Sequence, residues 1–502
     1  MGRLVVVSNR VAVSQGATSG GLAVAVSAAL RGQKALWFGW SGERAESGHH
    51  ELATRRHGDI EIVTLGLEGA DVDEYYNGYA NAALWPLFHS RTDLAAYDRS
   101  FSEGYQRVNR RFADALTPLL KPDDLIWVHD YHLIPLGREL RRRGFTGPIG
   151  CFLHIPWPAP QLFTTLPQHR DLAADLFAYD LVGLQTDACV AAFEGYVLGE
   201  VGGRREAGRL WAFGGEVRAQ AFPFGLDTDD FLALSRTPAA MRACDRMSAH
   251  SLFRSLIIGV DRLDYSKGIP ERLLGFEHYL KTHPEMVSRV LYLQIAPSSR
   301  ADVEAYQALR ANVLALAGRI NAVWAEMDHA PVLCLDRSYT RAELAGIYRA
   351  ARIGLVTPLR DGMNLVAKEY VAAQDGADPG VLILSRFAGA ASQMRDALIV
   401  NPHAREEVAD ALAEALAMER RERIRRWETL MEGIVRCDVL AWRDDFIAAL
   451  AAASGRAPEA ERPRGMAITL GRSAAEASAE LASQVGFASA APDPGCRTIA
   501  PS

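Results

Sequence analysis

Two basic residues stand five positions apart in the segment GVDRLDYSKGI. The segment continues from SLII, an apolar and β-branched run typical of a buried strand, so Arg262 and Lys267 leave a strand end together. A glycine then permits a tight path into the helix that IPERLLGFEHYL predicts. Such a cation pair at a helix N-terminus could clamp a diphosphate, because guanidinium, ammonium and unpaired N–H groups all favour negative charge. The alternative is a solvated loop in which Asp261 and Asp264 neutralise the cations.

A second segment, RDGMNLVAKEY, follows another predicted strand, RIGLVTP. Asn364 is placed as the N-cap of the helix that follows, which leaves the amides of Leu365 and Val366 at a positive helix end. Asp361 precedes the turn and could bind sugar hydroxyls, and Glu369 could accept the two vicinal hydroxyls of a ribose. The alternative makes Asp361 a turn residue and Glu369 a surface charge. Two strand-end loops of matching character favour the functional interpretation.

The first half of the chain offers a basic residue and two glycines near its first predicted strand. Arg10 follows the run RLVVVS, and Gly20 and Gly21 stand where a helix is predicted to start. Glycines there let the backbone approach a ligand closely. The chain has no GxGxxG motif and no P-loop, which argues against a dinucleotide oxidoreductase.

Histidines and paired aspartates raise the question of a metal. His129 and His132 lie at one predicted strand end and His154 at another. Ligands must converge on an ion, and we expect His129 and His132 to point apart across a strand-to-helix junction. The DxD strings at 71–73 and 227–229 could hold a hard cation, but their context favours turn and cap residues. No metal site and no cofactor are therefore predicted.

Aromatic side chains in polar surroundings could stack on sugar faces. Trp40, Tyr75, Tyr76 and Trp85 have this context. The alternative is that they are ordinary core residues.

The elements that must position these residues follow a βαβ rhythm. Short runs of continuous apolarity alternate with amphipathic stretches such as 105–120, which is typical of parallel strands covered on both faces. The rhythm pauses at 223–247 and restarts, so the fold class is predicted as α/β with two Rossmann-like domains whose parallel sheets face each other across a cleft. Strands are predicted at 3–8, 35–40, 60–65, 124–129, 149–154, 180–185, 255–260, 289–295, 331–336, 352–358 and 381–385.

The predicted domains are 1–235 and 236–455. A long helical stretch, 405–435, ends the second sheet, and we expect the last helix to pack back on the first domain. Residues 456–502 are rich in Ala, Ser, Gly and Pro and are predicted to form a disordered tail. Open sheets of this kind bind ligands outside the carboxyl ends of their strands.

Composition excludes several classes of partner. The chain has 502 residues, 49% of them hydrophobic, and a formal net charge of −6, so neither nucleic acid nor an anionic membrane is an expected partner. Six scattered cysteines without a CxxC pair fit a reducing compartment. Neither a signal peptide nor a membrane span is recognisable, and a cytoplasmic location is predicted.

Taken together, the motifs resemble those of the trehalose-6-phosphate synthases, a family of retaining glycosyltransferases of the two-domain GT-B type. The resemblance covers about residues 3–450 and lies in long, specific blocks. These blocks are VVVSNR, SGGL, YYNGYANAALWPLFH, VHDYHL, HIPWP, GVDRLDYSKGI, IAPSSR and RDGMNLVAKEY.

The resemblance implies transfer of glucose from a nucleotide-glucose, usually UDP-glucose, to glucose 6-phosphate, giving α,α-trehalose 6-phosphate. It implies a catalytic role for Arg262, Lys267, Asp361 and His154, with His154 near the anomeric centre of the donor. The implied donor contacts are Gly20, Gly21, Arg262, Lys267, Tyr339, Asp361, Leu365, Val366, Ala367, Lys368 and Glu369. The implied acceptor contacts are Arg10, Trp40, Tyr76, Trp85, Asp130 and Arg300, with Arg10 and Arg300 on the phosphate.

We expect a metal-independent, front-face reaction, because no carboxylate is an obvious nucleophile. The family further implies a homo-oligomer, with a tetramer as a frequent state, and a separate phosphatase acting downstream. Trp157, Gln161 and Tyr339 depart from the family pattern. Two alternatives stay open: a different phosphorylated acceptor, such as glycerol 3-phosphate, and a regulatory subunit without turnover.

Overall fold

A computed structural model describes residues 2–11, 26–46, 51–251, 253–298, 304–327 and 329–455. The predicted tail lies outside these ranges. Within them the chain forms two β-sheets with helices packed against them. In the same described part of the chain, no helix is both long and apolar enough to cross a bilayer.

The first sheet has ten strands in the order β3-β4-β2-β1-β5-β6-β7-β10-β9-β8. Its centre, from β4 to β10, is parallel, and β3, β9 and β8 pair antiparallel with their neighbours. The strands are β1 Leu4–Arg10, β2 Ala35–Arg44, β3 Ala53–His57, β4 Ile60–Leu67, β5 Leu125–His129, β6 Ile149–Phe152, β7 Leu181–Leu184, β8 Arg204–Glu206, β9 Arg209–Ala212 and β10 Gly215–Ala221.

The second sheet has six strands, all parallel, in the order β13-β12-β11-β14-β15-β16. Counted within this sheet, the order is 3-2-1-4-5-6, the Rossmann order whose switch point lies between the first and fourth strands. The strands are β11 Ser255–Val260, β12 Val290–Ile295, β13 Val332–Leu335, β14 Ile353–Val356, β15 Val381–Ser385 and β16 Leu398–Val400.

Helices cover the faces of both sheets. The longer α-helices are α1 Arg99–Leu116, α2 Leu136–Arg142, α3 His169–Leu176, α4 Asp187–Gly199, α5 Thr228–Ser235, α6 Pro238–Ser251, α7 Ile269–Thr282, α8 Glu304–Trp324, α9 Arg341–Ala350, α10 Leu365–Ala373, α11 Arg405–Ala417, α12 Arg420–Arg436 and α13 Val439–Ala453. Three short α-helices are Gly69–Asp71, Trp85–Phe88 and Pro160–Phe163, and Val72–Leu84 winds as a π-helix. The 3-10 turns are Thr92–Leu94, Thr117–Leu119, Tyr131–Leu133, Tyr265–Lys267, Pro284–Arg289 and Gly389–Ser392.

Every strand predicted from an apolar run is confirmed, and the differences concern polar or short elements. The exposed β3 (ATRRH), the hairpin β8–β9, the polar β10 and the three-residue β16 carry too weak a pattern to predict. The helix predicted over 405–435 is wrong as one element. The chain breaks at Met418 and Glu419, both extended, into α11 and α12.

The last helix, α13, packs on the first sheet. The ring of Phe446 stacks on Trp127 of β5 with centroids 4.7 Å apart, and Arg443 donates to the carbonyl of Ala29 at 3.0 Å. Gly150 and Gly183 make room for it, since a Cβ at either would lie 2.8 or 2.7 Å from the Phe446 ring. The domain boundary predicted between residues 235 and 236 falls between α5 and α6 and stays a prediction.

Candidate active site

The loops after β11 and β14 meet because these strands are neighbours at the switch point. The amide of Leu359 donates to the carbonyl of Ser266 at 2.8 Å. Close by, the ammonium of Lys267 lies 2.5 Å from Oδ2 of Asp361. The two segments singled out in the sequence therefore form one site, at the sheet edge where such folds bind ligands.

A buried guanidinium from α7 holds the two loops together. Arg272 is fully buried and donates to Oδ2 of Asp261 at 2.7 Å and to Oγ1 of Thr357 at 2.9 Å. It also donates to the carbonyl of Lys267 at 3.1 Å. Asp261 thus balances a buried cation, and the strand ends on both sides of the switch point share one donor.

Asp264 is also occupied within the fold. Its Oδ1 accepts from the amide and hydroxyl of Ser266 at 3.0 and 2.9 Å, and its Oδ2 accepts from Tyr306 at 2.9 Å. Within the described ranges no carboxylate lies within ion-pair distance of Arg262, whose guanidinium sits 5.6 Å from the centroid of the Trp85 ring. The solvated-loop alternative therefore does not describe these carboxylates, which order the loop instead.

Asn364 caps α10 in a backbone conformation with φ of 85°, which asparagine tolerates better than most residues. Its Oδ1 accepts from the amide of Ala367 at 3.1 Å, and its Nδ2 donates to Asp361 at 3.0 Å. Helix geometry leaves the amides of Leu365 and Val366 without partners inside the helix. The positive end of α10 is thus placed beside the Lys267–Asp361 pair.

Charge pairing sets the ionisation of the two central groups. Burial acts to raise the pKa of Asp361, but the ion pair with Lys267 outweighs it and lowers the pKa overall. Burial likewise opposes the ammonium of Lys267, yet Asp361 and Asp261 raise its pKa. Both groups are therefore charged at neutral pH.

The side chains further along α10 and near it have different surroundings. Burial raises the pKa of the half-buried Glu369 to about 7, against the opposing influence of Arg341. The ammonium of Lys368 turns away from the helix start and donates to the carbonyl of Phe224 at 2.7 Å, so a donor contact at this position would involve its backbone. The ring of Tyr339 is half-buried and packs against the hydrophobic cluster that contains Ala367 of α10.

On the first sheet, Arg10 at the end of β1 lies over two aromatic rings. Its guanidinium is 4.6 Å from the centroid of Trp40 and 4.9 Å from that of Tyr76. Trp40 is 1% exposed and Tyr76 half-buried, and Tyr76 stacks on His132 with centroids 6.0 Å apart. Arg10, Trp40 and Tyr76 are thus brought together as a cationic and aromatic wall.

The ends of β5 and β6 bring Asp130 and His154 together. The amide of His154 donates to Oδ1 of Asp130 at 3.1 Å, and burial raises the pKa of that carboxyl to about 7. Nε2 of His154 lies 3.0 Å from Nδ1 of His129, whereas His132 faces Tyr76, so His129 and His132 do point apart. Gly362 approaches so closely that a Cβ there would lie 2.1 Å from the carbonyl oxygen of His154.

Trp85 reaches from the first sheet to the loop after β11. Its Nε1 donates to Oδ1 of Asp264 at 3.4 Å, and its ring packs on His89 with centroids 4.1 Å apart. Trp85 thus joins the two groups of candidate residues, whereas Tyr75, also singled out in the sequence, is fully buried in the core of the first sheet. Gly20, Gly21 and Arg300 lie outside the described residues, so their placement stays a prediction.

The candidate cation ligands have other partners. Asp71 pairs with Arg107 at 2.8 Å and Asp73 with Arg44 at 3.0 Å, while Asp227 caps α5. Among the residues that the structure describes, no three His, Cys, Asp or Glu side chains are grouped so as to hold a metal ion.

Two residues at the cleft escaped the sequence analysis. Arg272 looks like an ordinary helix residue in ERLLG, and nothing local signals that it bridges two loops. His89 is buried beside Trp85, and burial lowers its pKa to about 4 despite the nearby Asp264 and Asp361. His89 could have been found from its four-residue spacing from Trp85, because that spacing places both residues on one helix face.

Two Rossmann-like sheets, with cationic strand-end loops at the Rossmann switch point of the second, are the architecture of the GT-B class of glycosyltransferases. Residues 5–452 match the model of glycosyltransferase family 20, and the chain belongs to that family.

Curated relatives share nearly their whole length with this chain. A trehalose-6-phosphate synthase from Sinorhizobium fredii is 47% identical over 464 residues, covering 91% of this chain and 100% of that protein. One from Escherichia coli K12 is 45% identical over 466 residues, covering 92% and 98%.

Solved structures agree with the fold. An α,α-trehalose-phosphate synthase (UDP-forming) from Burkholderia xenovorans, in complex with glucose-6-phosphate, has a TM-score of 0.86 at 47% identity and covers 89% of this chain and 100% of that one. An Escherichia coli relative bound with UDP-2-fluoro glucose has a TM-score of 0.85 at 45% identity, covering 89% and 98%.

Proposed function

We propose that this protein transfers glucose from UDP-glucose to glucose 6-phosphate, releasing UDP and forming α,α-trehalose 6-phosphate. The observation that carries the proposal is the contact of Lys267 with Asp361 at the N-terminus of α10, on the same loop as Arg262. These groups would offer a diphosphate two cations and two amides. The relatives with glucose-6-phosphate or a UDP-glucose analogue bound support the choice of substrates.

In this proposal the clamp stabilises the leaving diphosphate. The bond between glucose C1 and the phosphate oxygen breaks, and negative charge develops on the phosphate. Arg262, Lys267 and the amides of Leu365 and Val366 would stabilise that charge without a metal ion. Because these groups are held before substrate arrives, they need little reorganisation during the reaction.

Retention of configuration would follow from a front-face route. The acceptor hydroxyl bonds to C1 on the side that the phosphate leaves, and its proton passes to a phosphate oxygen. We assign Asp361 no nucleophilic role, because the donors Lys267 and Asn364 reduce the nucleophilicity of its Oδ2. Its assigned role is to bind glucose hydroxyls, and a covalent glucosyl-enzyme trapped on Asp361 would contradict this mechanism.

The first sheet would hold the acceptor. Arg10 is assigned to the phosphate together with Arg300, and Trp40, Tyr76, Trp85 and Asp130 to the sugar. Gly20, Gly21 and the segment from Tyr339 to Glu369 complete the proposed donor side. A homo-oligomer, a cytoplasmic location and a separate downstream phosphatase stay predictions.

The decisive experiment is an assay of nucleotide release. Purified protein is incubated with UDP-, GDP- or ADP-glucose and either glucose 6-phosphate or glycerol 3-phosphate, with and without a chelator. We expect UDP and trehalose 6-phosphate from UDP-glucose and glucose 6-phosphate, unaffected by chelator. Turnover with glycerol 3-phosphate alone would favour the other acceptor, and no turnover with any pair would favour the regulatory subunit.

Arg262→Ala tests the clamp itself. Removing one fixed donor of this kind costs about 2.7–4 kcal/mol of transition-state stabilisation, so kcat should fall by about 10²–10³-fold while the KM for glucose 6-phosphate changes little. Steady-state kinetics measures both. Arg349→Ala, which removes a surface pairing with Asp375, is the matched control. Equal losses in kcat and in glucose 6-phosphate binding would contradict the assigned role.

A further inference from the structure

A buried histidine behind the cleft, His129, contacts the ring of His154. Its Nδ1 lies 3.0 Å from Nε2 of His154, and the rings are stacked with centroids 5.3 Å apart. His129 itself is fully buried at the end of β5, between Trp127 at 4.5 Å and Trp442 of α13 at 6.1 Å. Because His129 is fully buried, we expect any role it has in the reaction to pass through His154.

Both rings are neutral at physiological pH. Burial lowers the pKa of His129 to about 3, and burial together with the neighbouring His129 lowers the pKa of His154 well below its usual range. A neutral imidazole carries one proton on one nitrogen, so exactly one of the two contacting nitrogens donates. The pair therefore has two possible proton arrangements.

The surroundings of His129 distinguish these arrangements. If His154 donated from Nε2, the proton of His129 would sit on its own Nε2, which is buried without a hydrogen-bond partner. The indole N–H groups of Trp127 and Trp442, in the same cluster, are also buried without partners. A third unpaired N–H in this cluster would be costly, whereas a bare Nε2 adds no further donor beside two indole N–H groups that already have no acceptor.

We propose that His129 is a positioning residue that donates from Nδ1 to Nε2 of His154 and so fixes the proton of His154 on Nδ1. Nδ1 of His154 makes no hydrogen bond to any described residue, and this side chain is partly exposed. His154 then presents one N–H donor of fixed direction to a ligand.

The consequence for the reaction rests on the proposed function. With its proton on Nδ1 and its Nε2 lone pair engaged, His154 can donate to an oxygen of the bound sugar nucleotide. It has no free lone pair with which to take the proton of the acceptor hydroxyl. Proton transfer to the leaving phosphate is then the route that remains at this side of the site.

The proton position can be measured without substrate. Imidazole ¹⁵N chemical shifts, recorded on histidine-labelled protein near pH 7.5, distinguish a protonated nitrogen from a bare one. The signals of the two rings are assigned by their loss in His154→Gln and His129→Asn. We expect His154 to carry its proton on Nδ1 and His129 to carry its proton on Nδ1 as well.

Substitutions at His129 then test its control over His154. In His129→Phe the donor is lost, and we expect the proton of His154 to move largely to Nε2. His129→Asn keeps an N–H near the position of Nδ1 and should preserve the wild-type ¹⁵N shifts of His154. His57→Phe, at an exposed position on β3, is the matched control and should change neither ring.

Kinetics supplies a second measurement. His129→Phe should lower kcat towards the roughly 10²-fold loss that a misplaced catalytic group can cause, with both KM values changed far less, and His129→Asn should restore most of it. A wild-type His154 with its proton on Nε2 would overturn the inference, as would an unchanged tautomer in His129→Phe. Because the wild-type shifts need neither substrate nor turnover, a failed synthase assay would contradict only the proposed function.

Discussion

Glu369 illustrates how one side chain acquires its properties from its position. It lies one turn into α10, half-buried, and its pKa is raised to about 7 by burial more than it is lowered by Arg341. A carboxylate that binds ribose hydroxyls must be ionised to accept both hydrogen bonds. The affinity for nucleotide should therefore depend on pH in the neutral range.

We predict that the Kd for UDP falls by about tenfold between pH 6 and pH 8, because the ionised fraction of a group with a pKa near 7 rises by that factor. Calorimetric titration measures the Kd. UDP titrates in part over the same range, so Glu369→Gln serves as the control and should show a much smaller change. A wild-type profile identical to that of Glu369→Gln would contradict the ribose role.

The raised pKa of Glu369 also predicts how the stability of the fold changes with pH. A carboxyl whose pKa is raised on folding holds its proton more tightly in the folded state, so it reduces stability as pH rises from its ordinary pKa to about 7. Glu369→Gln should therefore raise Tm more at pH 8 than at pH 5.

At the scale of elements, the site depends on strand order and on one helix cap. β11 and β14 lie about a hundred residues apart in sequence but are paired, so the loops after them share the Lys267–Asp361 ion pair. Asn364 then aims α10 at that pair by capping the helix and by donating to Asp361. The cap thus both stabilises the start of α10 and holds it beside Asp361.

We predict that Asn364→Ala and Asn364→Gly separate these two effects. Alanine loses the cap, worth about 1 kcal/mol, and is strained at positive φ by roughly 1–2 kcal/mol, whereas glycine costs only a few tenths. Thermal unfolding should therefore show a lower Tm mainly for Asn364→Ala. Both variants should bind UDP more weakly, and a wild-type Kd in Asn364→Gly would contradict the role of the cap in positioning the site.

At the scale of the whole molecule, segments that follow the strands of the two sheets touch at the candidate site. Gly362, in the loop after β14, has no room for a Cβ because the carbonyl oxygen of His154 would lie 2.1 Å away. Trp85 likewise reaches Asp264 across the cleft. Approach of the two sheets therefore sets the distance between the proposed donor and acceptor sites.

We predict that Gly362→Ala forces the sheets apart and lowers kcat by about 10²-fold, the cost of a small misplacement of reacting groups. Small-angle X-ray scattering should show a larger radius of gyration. The control is Gly433→Ala on α12, where no described atom lies within 4 Å of an added Cβ and alanine should stabilise the helix by about 0.5–1 kcal/mol. Wild-type turnover in Gly362→Ala would contradict this account.

Sequence patterns predicted the fold where burial is continuous. Most parallel strands of the two sheets contain a continuous apolar run, so that run alone located them. The antiparallel β3 and β8 are largely exposed and charged, and only pairing with a neighbouring strand makes them strands. The break between α11 and α12 was hidden because good helix formers flank it on both sides.

By itself, then, the sequence determined which residues could act: the basic pair at 262 and 267, Asp361, and the capped helix after Asn364, all of which are local patterns. The tertiary structure decided which groups meet, namely Lys267 with Asp361, Arg272 with both loops, and His129 with His154. The physical reason is that most of these partners lie at the ends of strands that are adjacent in a sheet but distant in the chain, or, like Arg272, on the helix that follows such a strand. Strand order, and with it such pairing, follows from the packing of the whole molecule and cannot be predicted from the residue type at any one position.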